Sequence, residues 1–257
     1  ARTASWDDGW LRMIEPSSTI EESVAGLFSP REPIHLDALN QDDRVAVFAQ
    51  ALNKAAAFAE LPVPDVPDSS LFTQKHAEEA LRDPLTLIMA AVVGVRTGIP
   101  QALSLTRIEL AHEAADRLVA RRLDEAFQEN PQLAHHMAAY VTLCGGLSKQ
   151  ETRDALAVEA RENNLGVVAN PGGFIDRLQT WFPGEKTDLG PIEPDIVGEA
   201  FLLGKKSPRL VHAESTIPRA AAMKAEPVIR SLVRTTQDFC LAEEDARKEP
   251  LLWLGQL

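Results

Sequence analysis

Apolar residues recur at intervals of three and four through most of the 257 residues, whereas the two-residue alternation of half-buried strands is scarce. After Asn40, for example, Val45, Phe48 and Leu52 fall on one helical stripe. Asn40 is itself a residue type that caps a helix start. This spacing predicts a mainly α-helical chain whose strands are few and short.

Charge and cysteine content narrow the classes of function. The formal net charge of −12 repels phosphate backbones and anionic lipid head groups. Cys144 and Cys240 are too far apart for a disulfide framework or paired metal ligands, so we expect a reducing, cytoplasmic setting. Because no apolar run reaches the roughly 20 residues of a bilayer span, we expect no membrane partner.

Three parts are predicted along the chain. A helical subdomain over 1–130 is followed by a winged-helix-like subdomain over 131–204 and by C-terminal helices over 205–257. Asn130-Pro131 marks the first boundary, because a proline disfavours helical geometry in the preceding residue. The chain begins Ala1-Arg2-Thr3, without an initiator Met or a leader, so we expect it to be an internal piece of a longer polypeptide.

The middle part has the element order of a winged helix. Ser148 with Glu151 three residues later forms a capping box that starts the second of three helices. A turn at 183–186 and a short strand at 189–192 follow the third helix. Asp195 begins the last helix of this part.

Catalytic motifs are missing from the sequence. Five residues separate Gly198 from Gly204 and Lys206 stands where a hydroxyl is needed, whereas Walker A has four residues between its glycines and a Ser or Thr after the lysine. His112-Glu113 is followed by Asp116 where a zinc-protease helix has its second histidine. We therefore predict no catalytic residue and no metal ligand in this chain.

Several segments, read in order, resemble the nucleotide-binding region of bacterial signal-transduction NTPases of the STAND class, relatives of the NB-ARC and NACHT switch proteins. ARTASWDDGWLRMI resembles the sensor 1 strand end and its tryptophan-containing helix, and IHLDALNQDDRVAVFAQAL resembles the entry to the helical lid. LRDPLTLIMAAVV resembles the Gly-Leu-Pro-Leu motif, and IELAHEAADRL the long helix that closes the lid. YVTLCGGLSKQETRDAL and TWFPGEKTDLGPIEPDIVGEAFLL resemble the winged helix. The resemblance covers nearly the whole chain.

The resemblance implies four nucleotide-binding residues. Arg2 would contact the γ-phosphate as sensor 1, and Pro84 with Leu85 would line the adenine pocket. Asp195 falls where the family has the aspartate of its MHD motif. Pro194 stands in place of the histidine that senses the β-phosphate, so the resemblance does not extend to that contact.

The resemblance also implies what the chain requires from outside. Walker A and Walker B lie upstream of Ala1 in this family, so the parent would be a P-loop NTPase that binds ATP or ADP with Mg²⁺, and this chain alone would bind no cofactor and catalyse nothing. Its first partner would be the upstream P-loop core of the same polypeptide, with self-association as a further option. Its role would be that of a lid and conformational relay.

Two other functions stay open. In the first, the chain is a helical protein-interaction scaffold for which nucleotide is irrelevant. In the second, the winged helix binds DNA. Ten acidic against five basic residues in 131–204 give this part a net charge of −5, which disfavours nucleic acid as a partner, although basic residues follow from Lys205 onward.

Overall fold

A computed structural model describes residues 40–65, 81–166, 168–185, 187–204, 213–240 and 248–257. Within these ranges the chain is mainly helical and has no extended strand, which confirms the predicted mainly α fold class. The apolar spacing also predicts a helix before residue 40 and one around 71–81, but residues 1–39, with Arg2, and 66–80 lie outside the described ranges.

The first helices pack against one another in one group. They are α1 (Gln41–Phe58), α2 (Pro84–Thr97), α3 (Ile99–Leu103), α4 (Arg107–Ala114), a π-helical segment (Ala115–Ala120) and α5 (Arg121–Ala126). Local sequence sets their starts: the Asn40 side chain accepts a hydrogen bond from Asp43 N at 2.8 Å, and Thr106 forms a capping box with Glu109. The sequence predicts one long helix over 106–127, and the structure confirms a helical run there, with a π-helical stretch in its middle.

The middle helices follow in the expected order. They are α6 (Pro131–Leu143), α7 (Lys149–Glu162), α8 (Pro171–Trp181) and α9 (Asp195–Leu203). The predicted capping box at the start of α7 is present, with Ser148 and Glu151 exchanging hydrogen bonds. The strand predicted at 189–192 is reduced to isolated bridges, in which Leu189 pairs with Leu147 and with Pro183. The winged-helix arrangement stays a prediction.

The last described helices are α10 (Ala213–Met223), α11 (Ala225–Thr235), a π-helical segment (Thr236–Cys240) and α12 (Glu249–Leu254). The sequence predicts an interruption at Ile217-Pro218, because a proline inside a helix removes a backbone hydrogen bond. The helix nevertheless continues through Pro218, because Ile217 and Ala220 beside it are fully buried and their packing outweighs the lost bond. Pro227 is the third residue of α11, where its missing N–H has no helical partner to lose.

Helices α6 and α9 occupy the centre of the packing. Every residue of α6 from His136 to Leu143 is buried, and so is every residue of α9 from Ile196 to Leu203. Helix α4 and the π-helical segment after it contact α9, whereas α10 and α11 contact α6, so one apolar cluster joins helices from all three predicted parts. No helix in the described ranges combines the length and apolar character that crossing a bilayer requires.

Candidate functional site

A cleft of about 920 Å³ lies between the first group of helices and the turn region that follows α8. One wall comes from α1, α2, the π-helical segment after α4, and α5, and the other from residues 181–193 with Gly145. Most of the lining on the helical side is apolar, including Val92, Val95, Leu118 and Val119. Its volume is in the range of small-molecule sites.

Two arginines lie on the helical wall of the cleft. Arg96 is exposed in the last turn of α2, and Arg122 is half-buried in the first turn of α5. Burial lowers the pKa of the Arg122 guanidinium, the positive charge of Arg96 lowers it further, and Glu125 partly opposes this effect. The wall therefore holds two like charges close enough to influence each other.

The opposite wall carries an aromatic ring and two carboxylates. Trp181 is 40% exposed at the end of α8, and the Cζ atom of Arg122 lies 5.8 Å from the centroid of its ring. This is a cation–π distance. Glu185 and Glu193 also line the cleft, and both are exposed.

The residues that the resemblance singled out lie elsewhere. Pro84 is exposed at the first position of α2, Leu85 is half-buried against the core, and Asp195 is exposed in the first turn of α9. None of these three residues lines the cleft. Arg96 is twelve positions after Pro84, so along the axis of α2 the two lie about 18 Å apart.

Pro84 and Asp195 each sit beside a local polar contact. Asp83 caps α2 through a hydrogen bond from Leu85 N at 3.1 Å, which leaves Pro84 in the first turn where a proline costs no backbone bond. The carboxylate of Asp195 pairs with the guanidinium of Arg234 on α11. Asp195 thus joins two helices in this structure.

A buried carboxylate links α6, α7 and α10. Glu159 of α7 is fully buried, and its Oε1 lies 2.7 Å from Nη2 of Arg219 on α10. Its Oε2 accepts hydrogen bonds from Thr216 at 3.0 Å and Asn163 at 2.8 Å, and lies 3.5 Å from Nδ1 of His136. Burial opposes ionisation, but the contacts with His136, Arg219 and Thr216 outweigh it and hold the pKa of Glu159 below its usual value.

A second buried carboxyl has fewer neighbours that stabilise a negative charge. Glu199 of α9 is only 2% exposed, and its Oε1 lies 3.6 Å from Nε of Arg234, which is an ion-pair distance but too long for a hydrogen bond. Burial raises the pKa of Glu199 to about 8, and the negative charges of Asp238 and Asp195 act in the same direction. At neutral pH this side chain is mostly protonated.

The described residues contain no group of three or more His, Cys, Asp or Glu side chains arranged to hold a metal ion. Comparisons of the chain with protein-family models, with curated proteins and with solved structures give no match. What the structure establishes is the fold class, which is mainly α-helical.

Sequence reasoning missed both the cleft and the Glu159 contacts. The apolar spacing of the sequence predicts Trp181 on the same side of its helix as Phe174 and Leu178, which are buried, whereas Trp181 itself is exposed and lines the cleft. The signal was its position in the last turn of the helix, directly before the turn at Pro183. Nothing local marks Glu159, since its partner Arg219 is sixty positions away.

Proposed function

We propose that this chain is the lid and conformational relay of an ATP-binding signal-transduction switch, and that it is not itself a catalyst. Nucleotide binding is inferred from the family resemblance. The observation that carries the relay is the set of charged contacts that fix the C-terminal helices to the middle helices. A relay requires such a rigid connection, because a displacement must reach the end of the chain without being absorbed on the way.

Three ion pairs make this connection. Glu159 of α7 pairs with Arg219 of α10, and Asp195 of α9 pairs with Arg234 of α11. In the third pair, Nζ of Lys224 lies 3.1 Å from Oε2 of Glu151 on α7, and it also donates a hydrogen bond to the carbonyl of Gly146 at 3.0 Å. Movement of α7 or α9 would therefore carry α10 and α11 with it.

In this proposal the upstream core of the same polypeptide supplies the phosphate cradle and holds Mg²⁺. Pro84, exposed at the start of α2, is accessible to an adenine ring held by such a core. Asp195 is already engaged by Arg234, so we assign it to the relay rather than to a direct nucleotide contact. Arg2 keeps its proposed role at the γ-phosphate.

The experiment uses the full-length polypeptide, loaded with ADP or with a non-hydrolysable ATP analogue. Amide hydrogen exchange is compared over α10 and α11 in the two states. We expect the exchange to differ between the two nucleotides in the wild type and in Glu162→Gln, an exposed control on α7, and the difference to shrink in Glu159→Gln. Equal exchange with both nucleotides in the wild type would exclude the relay, and absence of nucleotide binding would exclude the switch.

One observation favours the second candidate, an interaction scaffold that self-associates. Ile229 and Val233 lie one turn apart on α11 and are 45% and 39% exposed, and Leu251 and Leu252 of α12 are 53% and 66% exposed. Helices α11 and α12 contact each other, and exposed apolar side chains on adjoining helices are found at protein interfaces. Sedimentation of the chain at rising concentration tests it, since a wild-type dimer that Ile229→Glu dissociates would support the scaffold. A monomer at every concentration would contradict self-association.

A further inference from the structure

Two acidic side chains meet where α9 faces the C-terminal π-helical segment (Thr236–Cys240). Glu199 of α9 is only 2% exposed, and within the described part of the chain neither of its carboxyl oxygens has a hydrogen-bond donor. The group that it meets across the interface is the carboxyl of Asp238. Two ionised carboxylates cannot hydrogen-bond to each other, because each can only accept. A hydrogen bond between these two side chains therefore requires one proton between them.

The surroundings place that proton on Glu199. Asp238 is half-buried and keeps contact with water, whereas Glu199 is enclosed. The nearby cation, Arg234, is engaged by Asp195 through Nη1, and its Nε lies 3.6 Å from Oε1 of Glu199, which is too long for a hydrogen bond. Burial is the main cause that raises the pKa of Glu199, and the charge of Asp238 adds to it. At neutral pH a protonated Glu199 therefore donates to Asp238.

The segment that carries Asp238 begins at a change of helix geometry. Helix α11 turns from α-helical to π-helical at Thr236, and such changes are rare and concentrate at functional sites. Arg234, two residues earlier, pairs with Asp195 and so fastens α11 to α9 independently of the segment. Beyond the change, the ring of Phe239 meets the ring of His112 on α4 edge-on, with centroids 5.3 Å apart. Loss of the Asp238 contact would therefore loosen this segment before it loosens α11.

We propose that Glu199 and Asp238 form a pH-sensitive latch, in which a shared proton fastens the C-terminal π-helical segment to α9 and loss of that proton to water releases the segment while α11 stays attached. In the open form Glu199 meets water and recovers its ordinary acidity, so rising pH favours opening by mass action. If both carboxyls ionise in the closed form, they repel each other in a poorly solvated interface. The latch requires no nucleotide and does not rest on the proposed relay.

The elements packed against α9, and the segment itself, carry further titratable or charged groups. They are His112 and Glu113 of α4, Asp116 and Arg117 of the π-helical segment after α4, His135 and His136 of α6, Arg234 of α11, and Cys240. Histidine titrates near neutral pH, in the same range as the latch. Burial also raises the pKa of the Cys240 thiol. A test must therefore keep all of these groups and change the latch alone.

Amide hydrogen exchange of a peptide that covers 236–240 is compared between wild type and Glu199→Gln, from about pH 6 to about pH 8. Gln has the shape of protonated Glu and can donate to Asp238 at every pH. The peptide and the other titratable groups are identical in both proteins, so their pH dependence cancels in the ratio of the two rates. This ratio should rise at least about tenfold over the range, because each pH unit changes the opening equilibrium by up to about tenfold. A constant ratio would overturn the latch.

Two further variants test the partner and the control position. Asp238→Asn removes the second carboxylate, and its amide can donate to an ionised Glu199, so the rise with pH should shrink severalfold. This variant also keeps the proposal testable if Glu199→Gln does not fold. Glu193→Gln, an exposed glutamate shortly before α9, should keep the wild-type rise. A full rise in Asp238→Asn, or an equal reduction in Glu193→Gln, would overturn the inference.

Low concentrations of urea distinguish local release from global unfolding. A local opening exposes little surface, so its exchange hardly responds to urea, whereas exchange through global unfolding accelerates. At about pH 8 the segment should exchange faster than α6 (Pro131–Leu143) and respond less to urea. If both regions respond equally, the release is not local and the latch is overturned. The assay uses no ATP and no upstream core, so its failure leaves the relay experiment untouched.

Discussion

Arg219 of α10 directs both Nε and Nη2 at a single oxygen of Glu159 on α7, at 2.9 and 2.7 Å. Glu159 is fully buried and Arg219 is 22% exposed, so the pair is closed at the carboxylate and open to water only along the arginine. Removing one partner of such a pair costs more than the pair contributes, because the other charge is left without compensation.

Glu159→Gln should therefore lower the free energy of unfolding by about 3 kcal/mol. Glu162→Gln on the same helix changes an exposed pair with Arg161 and should stay within about 0.5 kcal/mol of wild type. Urea unfolding followed by circular dichroism measures both. Equal, small effects would mean that the Glu159 contacts contribute little to stability.

The same pair predicts an acid-dependent loss of stability. Because the folded state holds the pKa of Glu159 below its ordinary value of 4.5, its contribution is fully present above that value and is lost as pH falls through the folded pKa. Unfolding curves measured from pH 6 downward should fall less steeply for Glu159→Gln than for wild type. Parallel curves would contradict the lowered pKa of Glu159.

The raised pKa of Glu199 predicts that the free energy of unfolding depends on pH with the opposite sign. Its pKa is raised from 4.5 to about 8, so between these values the folded state binds more protons than the unfolded state. Stability should consequently fall as pH rises from about 4.5 to about 8, by up to a few kcal/mol. Deprotonation would place a third negative charge beside Asp238 and Asp195, with Arg234 as the compensating cation.

Glu199→Gln removes the titrating proton and should flatten this part of the profile. Relative to wild type, the variant should gain stability above pH 8 and change little near pH 5. Glu193→Gln, an exposed glutamate shortly before α9, serves as the control and should keep the wild-type slope. An unchanged slope in Glu199→Gln would refute the raised pKa.

Helix starts could be predicted from sequence because the chemistry that sets them is local. Asn40, Asp83-Pro84 and Ser148 with Glu151 all act within three residues of the backbone groups that they satisfy. The error at Pro218 has the opposite origin. That proline is tolerated because α10 packs against α6, a contact between segments about eighty positions apart.

The cleft also depends on contacts between distant segments, which local sequence does not predict. Arg96, Arg122 and Trp181 come from three different helices, and neither spacing nor composition indicates that they meet. The strand expected at 189–192 is reduced to isolated bridges because the partners of Leu189 are Leu147, in the short connection between α6 and α7, and Pro183, and neither belongs to a strand. Only the tertiary arrangement supplies such information.

The two cysteines should differ in reactivity. Cys144 is 2% exposed, and burial raises the pKa of its thiol to about 12, so at pH 8 only about one thiol in ten thousand is a thiolate. Cys240 is half-buried, and its pKa is raised as well. Iodoacetamide labelling of the native chain, followed by mass spectrometry, should modify Cys240 first. Preferential labelling of Cys144 would show that the α6–α10 contact opens readily.

Gly146 lies in the turn between α6 and α7, and substituting it tests how closely this turn packs against the bridge between Leu147 and Leu189. Its φ of +107° is a conformation that side chains disfavour, and an added Cβ would lie 2.5 Å from Oγ1 of Thr187 and 2.8 Å from the carbonyl oxygen of Leu189. Gly166 also has a positive φ, of +81°, but an added Cβ would have no atom of the described residues within 4 Å. Comparing alanine substitutions of Gly146 and Gly166 therefore separates the cost of backbone strain from the cost of steric overlap.

Gly166→Ala should cost about 1 kcal/mol of unfolding free energy, from backbone strain alone. Gly146→Ala should cost about 3 kcal/mol or more, since the Leu189 carbonyl is held by its hydrogen bond from Leu147 N at 2.9 Å and cannot yield without breaking the bridge. Chemical denaturation of both variants gives the comparison. If the two costs are equal, the turn and the bridge do not pack as closely as the structure indicates.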